Sequence, residues 1–424
     1  MSVEAAFDRA LRAAREHNDF NGLVVAVSGG GDSMALLSLA AGWGREARLP
    51  VLALTVDHGL RPASADEARQ VAGICAGLGV DHRTLRWTGW DGAGNLQAKA
   101  RDARYRLVAQ EAAAALDRPA VLVGHTKDDL AETFLMRLAR GSGVDGLAAM
   151  RGEWREAGIL WLRPLIEVTR GDLRDYLRGQ GADWIEDPSN DDEGFTRVRM
   201  RRAMALLDEV GLDTDRLAGT ARTMARVRSA LDHYTLAAGR DIARTEAGDV
   251  LFDAAALSAV PDEIRLRLLA GALVWVTSAA YRPRFEALCD LDDKIASRGR
   301  MTLGGALFTL KRGELRVTRE PKAVEGLRAV PGALWDNRWR VSPPPGFEAK
   351  SLSVERLGEA GLRDCPNWRE TGLPRDSLLS GPAVWDRAMG DARLVAAPRA
   401  GLENGWSASL HPYGGDFLSS LLSH

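Results

Sequence analysis

At 424 residues, with 46% hydrophobic and 27% charged positions, the chain has the composition of a globular protein and the length of two or three domains. A net charge of −2 excludes a protein that coats nucleic acid indiscriminately but allows a local basic face, and of its 56 basic residues only six are Lys. Three cysteines, Cys75, Cys289 and Cys365, far apart and without C-x-x-C spacing, exclude a disulfide framework and a metal site built on paired thiolates.

Residues 1–20 read as an amphipathic helix rather than a signal-peptide core, and no run approaches the roughly 18 apolar residues of a membrane span. No membrane partner and a cytoplasmic location are therefore expected. Residues 23–27 (LVVAV) predict a buried strand, Ser28-Gly29-Gly30-Gly31-Asp32-Ser33 a tight turn, and residues 34–40 a helix. Glycines let the backbone approach an anion closely, and the free N–H groups of the helix start carry roughly half a positive charge toward the same point. The ligand that fits is polyanionic. No Lys lies between Gly29 and Ala40, so this is not the nucleotide loop that ends in Lys.

A second apolar strand at 51–56 ends in Asp57-His58-Gly59-Leu60-Arg61-Pro62, a polar turn of the kind that contacts ligands in doubly wound sheets. A helix at 65–78, a strand at 82–87, a loop at 90–95 and a long helix at 96–115 follow, the last carrying Lys99, Arg101, Arg104 and Arg106. With a fourth strand at 121–124, the alternation predicts parallel strands whose first, second and fourth ends open onto one crevice.

The turn after that strand, Gly124-His125-Thr126-Lys127-Asp128-Asp129-Leu130-Ala131-Glu132-Thr133, runs into a helix over 134–139. Asp129 and Glu132, three apart, face the same way. They can hold Mg²⁺ or a substrate's amino group, and acids at a helix start also simply favour its dipole. Gly141-Ser142-Gly143 reads either as crevice lining or as a helix C-cap. Beyond an acidic loop at 187–193, Thr196-Arg197-Val198-Arg199-Met200-Arg201-Arg202 places four arginines within six positions, enough for several phosphates.

Taken together, the SGGGDS loop, the segments 56–61, 100–105 and 124–133, Arg140 through Leu147, Arg163-Pro164-Leu165 and Trp184-Ile185-Glu186-Asp187-Pro188-Ser189-Asn190 resemble, in order and spacing, the tRNA(Ile)-lysidine synthetases. The resemblance covers residues 22–202. It implies a doubly wound α/β domain of the PP-loop ATP-pyrophosphatase type (adenine-nucleotide alpha-hydrolase-like), followed by a helical module and a small β-rich C-terminal module. The implied reaction uses ATP and Mg²⁺ to adenylate C2 of the wobble cytidine in the CAU anticodon of tRNA(Ile). The ε-amino group of L-lysine then displaces AMP to give lysidine.

Carried over by residue, the resemblance puts Ser28, Gly29, Gly30, Gly31, Asp32 and Ser33 on ATP, with Asp32 and Asp129 on the metal. Asp57, His58 and Gly59 would contact the adenosine. Asp129 and Glu132 would be the lysine carboxylates, His125 would lie beside the α-phosphate, and Arg101, Arg104, Arg197, Arg199 and Arg201 would hold phosphate or tRNA. Val198 departs from the family pattern, where Asn is common, and Thr126 stands where His is often found.

The expected division is 1–204 catalytic, 205–300 helical and tRNA-contacting, and 301–424 β-rich, as a monomer or homodimer. Residues 206–290 have helical periodicity, with one amphipathic helix over 220–239. Residues 302–307 and 315–318 predict a hairpin, Pro343-Pro344-Pro345 a break, and 417–424 a frayed tail. The nearest alternative is a PP-loop tRNA thiolase or another AMP-forming tRNA-modifying enzyme. Isolated cysteines disfavour thiolases that carry sulfur or a cluster on cysteine pairs, and an amide-forming synthetase would leave the segments over 140–190 unexplained.

Overall fold

The computed structural model describes residues 1–59, 64–90, 95–186, 196–346, 351–387, 392–412 and 414–422, in two compact units, Met1–Arg228 and Ser229–His424. The predicted turn residues Leu60, Arg61 and Pro62, most of the 90–95 loop, the acidic loop at 187–193 and the final residues of the Trp184 to Asn190 segment lie outside the described residues.

The first unit runs α1 (Val3–His17), β1 (Gly22–Ala26), α2 (Gly31–Ala47), β2 (Val51–Asp57), α3 (Ser64–Leu78), β3 (Asp81–Arg86), α4 (Leu96–Ala115), β4 (Pro119–Val123), α5 (Lys127–Leu138), α6 (Val144–Leu147), β5 (Glu153–Glu156), β6 (Ile159–Leu162), α7 (Arg170–Gly179) and α8 (Thr196–Glu209). α9 (Thr214–Ile242) contains the division between the units. The strands form one sheet in the order β3-β2-β1-β4-β6-β5, parallel except for β5. Strand β1 pairs on both sides, Leu23 opposite Val51 and Ala120, so Leu23, Val24 and Val25 are wholly buried. A strand covered on both faces reads as a continuous apolar run, which is why it is plain in the sequence. One face packs against α1, α2 and α7 through Leu11, Leu37 and Leu173, and the other against α4 through Val108, Ala109 and Ala112. The strand order reverses between β1 and β4, the place where such sheets open a crevice beyond their carboxyl ends.

The second unit adds β7 (Ala243–Glu246), β8 (Asp249–Asp253), α10 (Ala254–Ala259), α11 (Asp262–Thr277), α12 (Phe285–Arg298), β9 (Arg300–Leu303), β10 (Ala306–Lys311) and β11 (Glu314–Arg319). These strands make a five-stranded antiparallel sheet, β7-β8-β11-β10-β9, packed on α11, whose residues from Leu266 to Val276 are all buried. The helical reading of 206–290 therefore misses a hairpin at 243–253, and the strand read over 302–307 is two, separated by Gly304 and Gly305 at φ 57° and 83°. The helix read over 220–239 is there, extended to α9. β12 (Leu334–Trp335), β13 (Trp339–Ser342), β14 (Leu352–Arg356), α13 (Gly358–Arg363), α14 (Arg375–Leu379), β15 (Pro382–Asp386), β16 (Arg393–Ala396) and β17 (Ser407–Leu410) form two three-stranded sheets with short helices.

The frayed tail expected over 417–424 begins instead as α15 (Phe417–Ser420), its last two residues lying outside the described residues. Asp416 caps it by accepting from the Ser419 backbone N–H, and Phe417 lies edge-on to Phe252 and Trp275, each at 6.1 Å. Burial of Phe417 and Leu421 in the second core outweighs the fraying that a polar, glycine-rich approach suggests. Among the described residues, no helix is long and apolar enough to cross a membrane.

Candidate functional site

The cradle sits at the carboxyl end of β1. Gly30 is the N-cap of α2 and supplies no side-chain cap, so the first N–H groups of the helix, from Gly31 to Ser33, face outward from the turn. Ser33 Oγ closes the turn by donating to Gly30 O at 2.9 Å and accepting from Ser28 N–H at 3.2 Å, and it lies 3.2 Å from Ser28 Oγ. The three glycines have different reasons. At Gly29, φ is 86°, and a Cβ would come within 2.7 Å of Ile185 Cδ1. At Gly30 a Cβ would make only an ordinary contact, with Ser28 Oγ at 3.8 Å, so the fold itself does not demand glycine there and the missing Cβ leaves the backbone open to an anion. Gly31 lies beneath the Trp184 indole. Ile185 N–H donates to Gly29 O at 2.9 Å, so the Trp184-Ile185 pair holds the cradle from the side.

The second cluster is built at the start of α5. Thr126, fully buried, caps the helix: its hydroxyl and backbone N–H both donate to Asp129 Oδ2, at 3.0 and 2.8 Å. The small Thr126 hydroxyl thus has a structural task. Asp129 is both a cap and a site carboxylate, because its other oxygen turns away from the helix. There Arg170, the first residue of α7, gathers three acids. Its Nη2 donates to Asp129 Oδ1 at 2.6 Å, Nη1 to Glu132 Oε1 at 2.5 Å and Nε to Asp32 Oδ2 at 3.1 Å, while its backbone N–H donates to Asp128 at 2.8 Å. Arg201 on α8 also donates to Glu132 Oε1, at 2.8 Å. Glu132 is 1% exposed, and its Oε2 has no hydrogen-bond partner among the described residues. A buried carboxylate oxygen left bare beside an anion cradle is an acceptor for an incoming cation.

Burial raises the Asp32 carboxyl above its ordinary value despite Arg170. Burial pushes Asp129 the same way, but Arg170 and the Thr126 N–H outweigh it and hold that carboxyl below the usual range. His125 is driven down to about 3, by burial first and then by Arg163, so it is neutral at physiological pH. Arg163 Nε donates to His125 Nδ1 at 3.1 Å, which leaves Nε2–H as the donor of the ring.

Asp57, His58 and Gly59 stand at the end of β2. Asp57 Oδ1 accepts from Gly59 N–H at 2.9 Å, and His58 lies edge-on to Trp87 at 5.6 Å with its pKa lowered by burial and by Arg104. Arg101 and Arg104 flank the Tyr105 ring, at 5.1 and 5.6 Å from its centroid. On α8, Arg201 reaches the carboxylate cluster and the charge of Arg197 is felt at Asp129 and Arg104. Arg199 is exposed and donates to Thr196 Oγ1 of its own helix at 3.3 Å. Val198 is buried, which accounts for an apolar residue there. Gly141, at φ 70°, ends α5: its N–H donates to Leu138 O and that of Ser142 to Arg137 O, the C-cap alternative.

Sequence reasoning missed Arg170, and it named Arg163 only within the Arg163-Pro164-Leu165 segment, without a role in the site. Arg170 carries one available signal: a cation at the first position of a Thr-capped helix opposes the dipole, and such a residue needs acids from elsewhere.

Mg²⁺ can be tested against these groups. Among the described residues, no three His, Cys, Asp or Glu side chains are arranged to hold a metal by themselves. Arg170 takes Asp32 Oδ2 and Asp129 Oδ1; the other Asp32 oxygen, next to the open phosphate cradle, fits an ion that takes one or two carboxylates and completes its shell with phosphate oxygens and water, with Asp129 joining where Arg170 yields.

A glycine cradle feeding a helix at the switch point of a parallel sheet defines a phosphate-binding α/β domain, and residues 3–207 match the PP-loop domain family, which implies ATP use. Two relatives narrow this. The tRNA(Ile)-lysidine synthase of Ruegeria pomeroyi is 47% identical over 403 residues, 95% of this chain and 94% of the relative. That of Bradyrhizobium sp. strain BTAi1 is 42% identical over 323 residues, 70% and 90% of the two chains. The chain belongs to the tRNA(Ile)-lysidine synthase family. Among solved structures, the U34-tRNA thiolase NcsA of Methanococcus maripaludis is similar at 15% identity and a TM-score of 0.44, over 53% of this chain and 76% of that one.

Proposed function

We propose that this protein ligates L-lysine to C2 of the wobble cytidine in the CAU anticodon of tRNA(Ile), forming lysidine with release of AMP and diphosphate. The observation that carries the reading is Glu132 Oε2, buried and without a partner among the described residues, in a carboxylate cluster that Arg170 ties to Asp32 of the cradle. In this reading the amides of Gly31 to Ser33 hold the β- and γ-phosphates of ATP. His125 Nε2–H donates to the α-phosphate, where charge builds as the cytidine carbonyl oxygen attacks and diphosphate leaves. Mg²⁺, held by Asp32 and Asp129, would supply charge neutralisation at the phosphates. Glu132 Oε2 and Asp129 orient the ε-amino group of lysine, and Glu132 Oε2 takes up its proton as the C–N bond forms and AMP leaves. Asp57, His58 and Gly59 border the adenosine, and the second unit grips tRNA outside the crevice.

The test is incubation of the pure protein with ATP, Mg²⁺, labelled L-lysine and two tRNA transcripts that differ only in anticodon. Label on the CAU transcript alone, matched by AMP, is expected. AMP without lysine transfer would refute the ligation and direct attention to another nucleophile.

The arginines of α8 give a second expectation. Arg199→Ala with Arg197→Ala weakens tRNA binding and lowers the slope of log K against log salt by about two, at roughly 0.9 per phosphate contact. Filter binding from low to moderate salt measures it, and an unchanged slope would remove both residues from the phosphate contacts.

A further inference from the structure

On the flank of the first unit, α4 and the β5–β6 hairpin enclose a groove of about 540 Å³. Its wall is a tier of planar groups. Tyr105 lies 4.8 Å from Trp161, Trp161 stacks on Trp154 at 5.6 Å and 18°, and the Arg163 guanidinium lies 3.9 Å from the centre of the Trp154 ring. Trp161 belongs to the core, whereas Trp154 is half-buried. Exposed Arg101 and Arg106 line the α4 side, together with Asp102, and Glu156 lines the hairpin side, accepting from Trp154 Nε1–H at 3.1 Å. The proposed reaction gives Trp154, Arg106, Asp102 and Glu156 no task. Arg163 joins the groove to the crevice, since the side chain that covers Trp154 also donates to His125.

The mixture of groups selects a ligand. Aromatic rings and guanidinium planes are the surfaces on which unstacked RNA bases lie, and arginines take the phosphate beside them. Two carboxylates would repel a bare anion but accept N–H groups from a base edge. A ring with N–H donors and an attached phosphate is a nucleotide. A groove whose Arg163 also reaches His125 lies one side chain from the reacting nucleotide, where a strand places that nucleotide's neighbour.

We propose that the groove between α4 and the β5–β6 hairpin binds the nucleotide adjacent to the reacting cytidine in the bound tRNA, its base against the Trp154 and Arg163 tier and its phosphate at Arg101 and Arg106. This rests on the tRNA-ligating reading above. The test uses the full chain and CAU anticodon stem-loops carrying 2-aminopurine on the 5′ or the 3′ side of the cytidine. Binding quenches the fluorophore at one of these positions. Trp154→Ala abolishes the quench and weakens binding roughly tenfold, the order expected for one lost base stack, with KM for ATP and lysine unchanged. Arg106→Ala, at an exposed position that leaves the hairpin intact, lowers the salt slope by about one.

An equal quench in the wild type and Trp154→Ala, no quench at either position, or an unaltered slope in Arg106→Ala would overturn the proposal. Relief of the quench by free AMP without release of the stem-loop would also overturn it, marking a mononucleotide site. Loss of lysine transfer in the wild type with the quench intact would count against the ligation and not against the groove.

Discussion

Arg170→Ala is expected to cost about 3–5 kcal/mol of stability at neutral pH, the order for removing one partner from a buried charge cluster. It is also expected to raise KM for lysine, because Asp32, Asp129 and Glu132 lose the guanidinium that fixes their spacing. Arg170→Lys should recover only part of the loss, since one ammonium cannot serve three acids in the way a planar fork does. The pH dependence follows from Asp129. With Arg170 present its carboxyl is held low, so its contribution is complete above the unfolded value of about 3.9 and is lost only as pH falls through the lower folded value. Without Arg170, burial raises it instead. The deficit is then largest at neutral pH and narrows on acidification. Urea midpoints for both proteins at neutral and mildly acidic pH measure this, and equal midpoints at neutral pH would show that the cluster does not need the cation.

Asp32→Ala is expected to lower turnover roughly 10³-fold, the scale for losing an electrostatic group at a reacting phosphate. It should leave the fold nearly unchanged, because Arg170 keeps two of its three acids and an acid at a helix start contributes only about 0.3–1 kcal/mol. Asp32→Asn separates charge from shape: it retains the side-chain volume and removes the negative oxygen. Initial rates of AMP release, with a thermal melt as control, decide the matter. Either variant keeping more than about a tenth of the turnover would remove Asp32 from the phosphate chemistry.

The sequence was readable where one local pattern forces one structure. Strand β1 announces itself because both faces are covered, and the cradle because no other residue fits φ 86° beside Ile185 as glycine does. The pairing of Asp129 with Glu132 follows from a three-residue step on one helix. Arg170 was not legible in this way: it meets Asp32 across 138 positions of chain, and no local period reports such a contact. The hairpin at 243–253 was hidden because Ala- and Arg-rich flanks carry the helical period across it, and only pairing with β11 fixes it as strand. At the other end, Phe417 is anchored by aromatic partners more than 140 residues away, Phe252 and Trp275.

Asp129 holds the first turn of α5 with one oxygen and meets Arg170 with the other. Stability and chemistry share a single carboxylate there, so an engineer cannot exchange the cap for a better one without turning the second oxygen. A thermostable variant is better sought at the far end of the same helix, where Gly141 and Ser142 close α5 away from the acids.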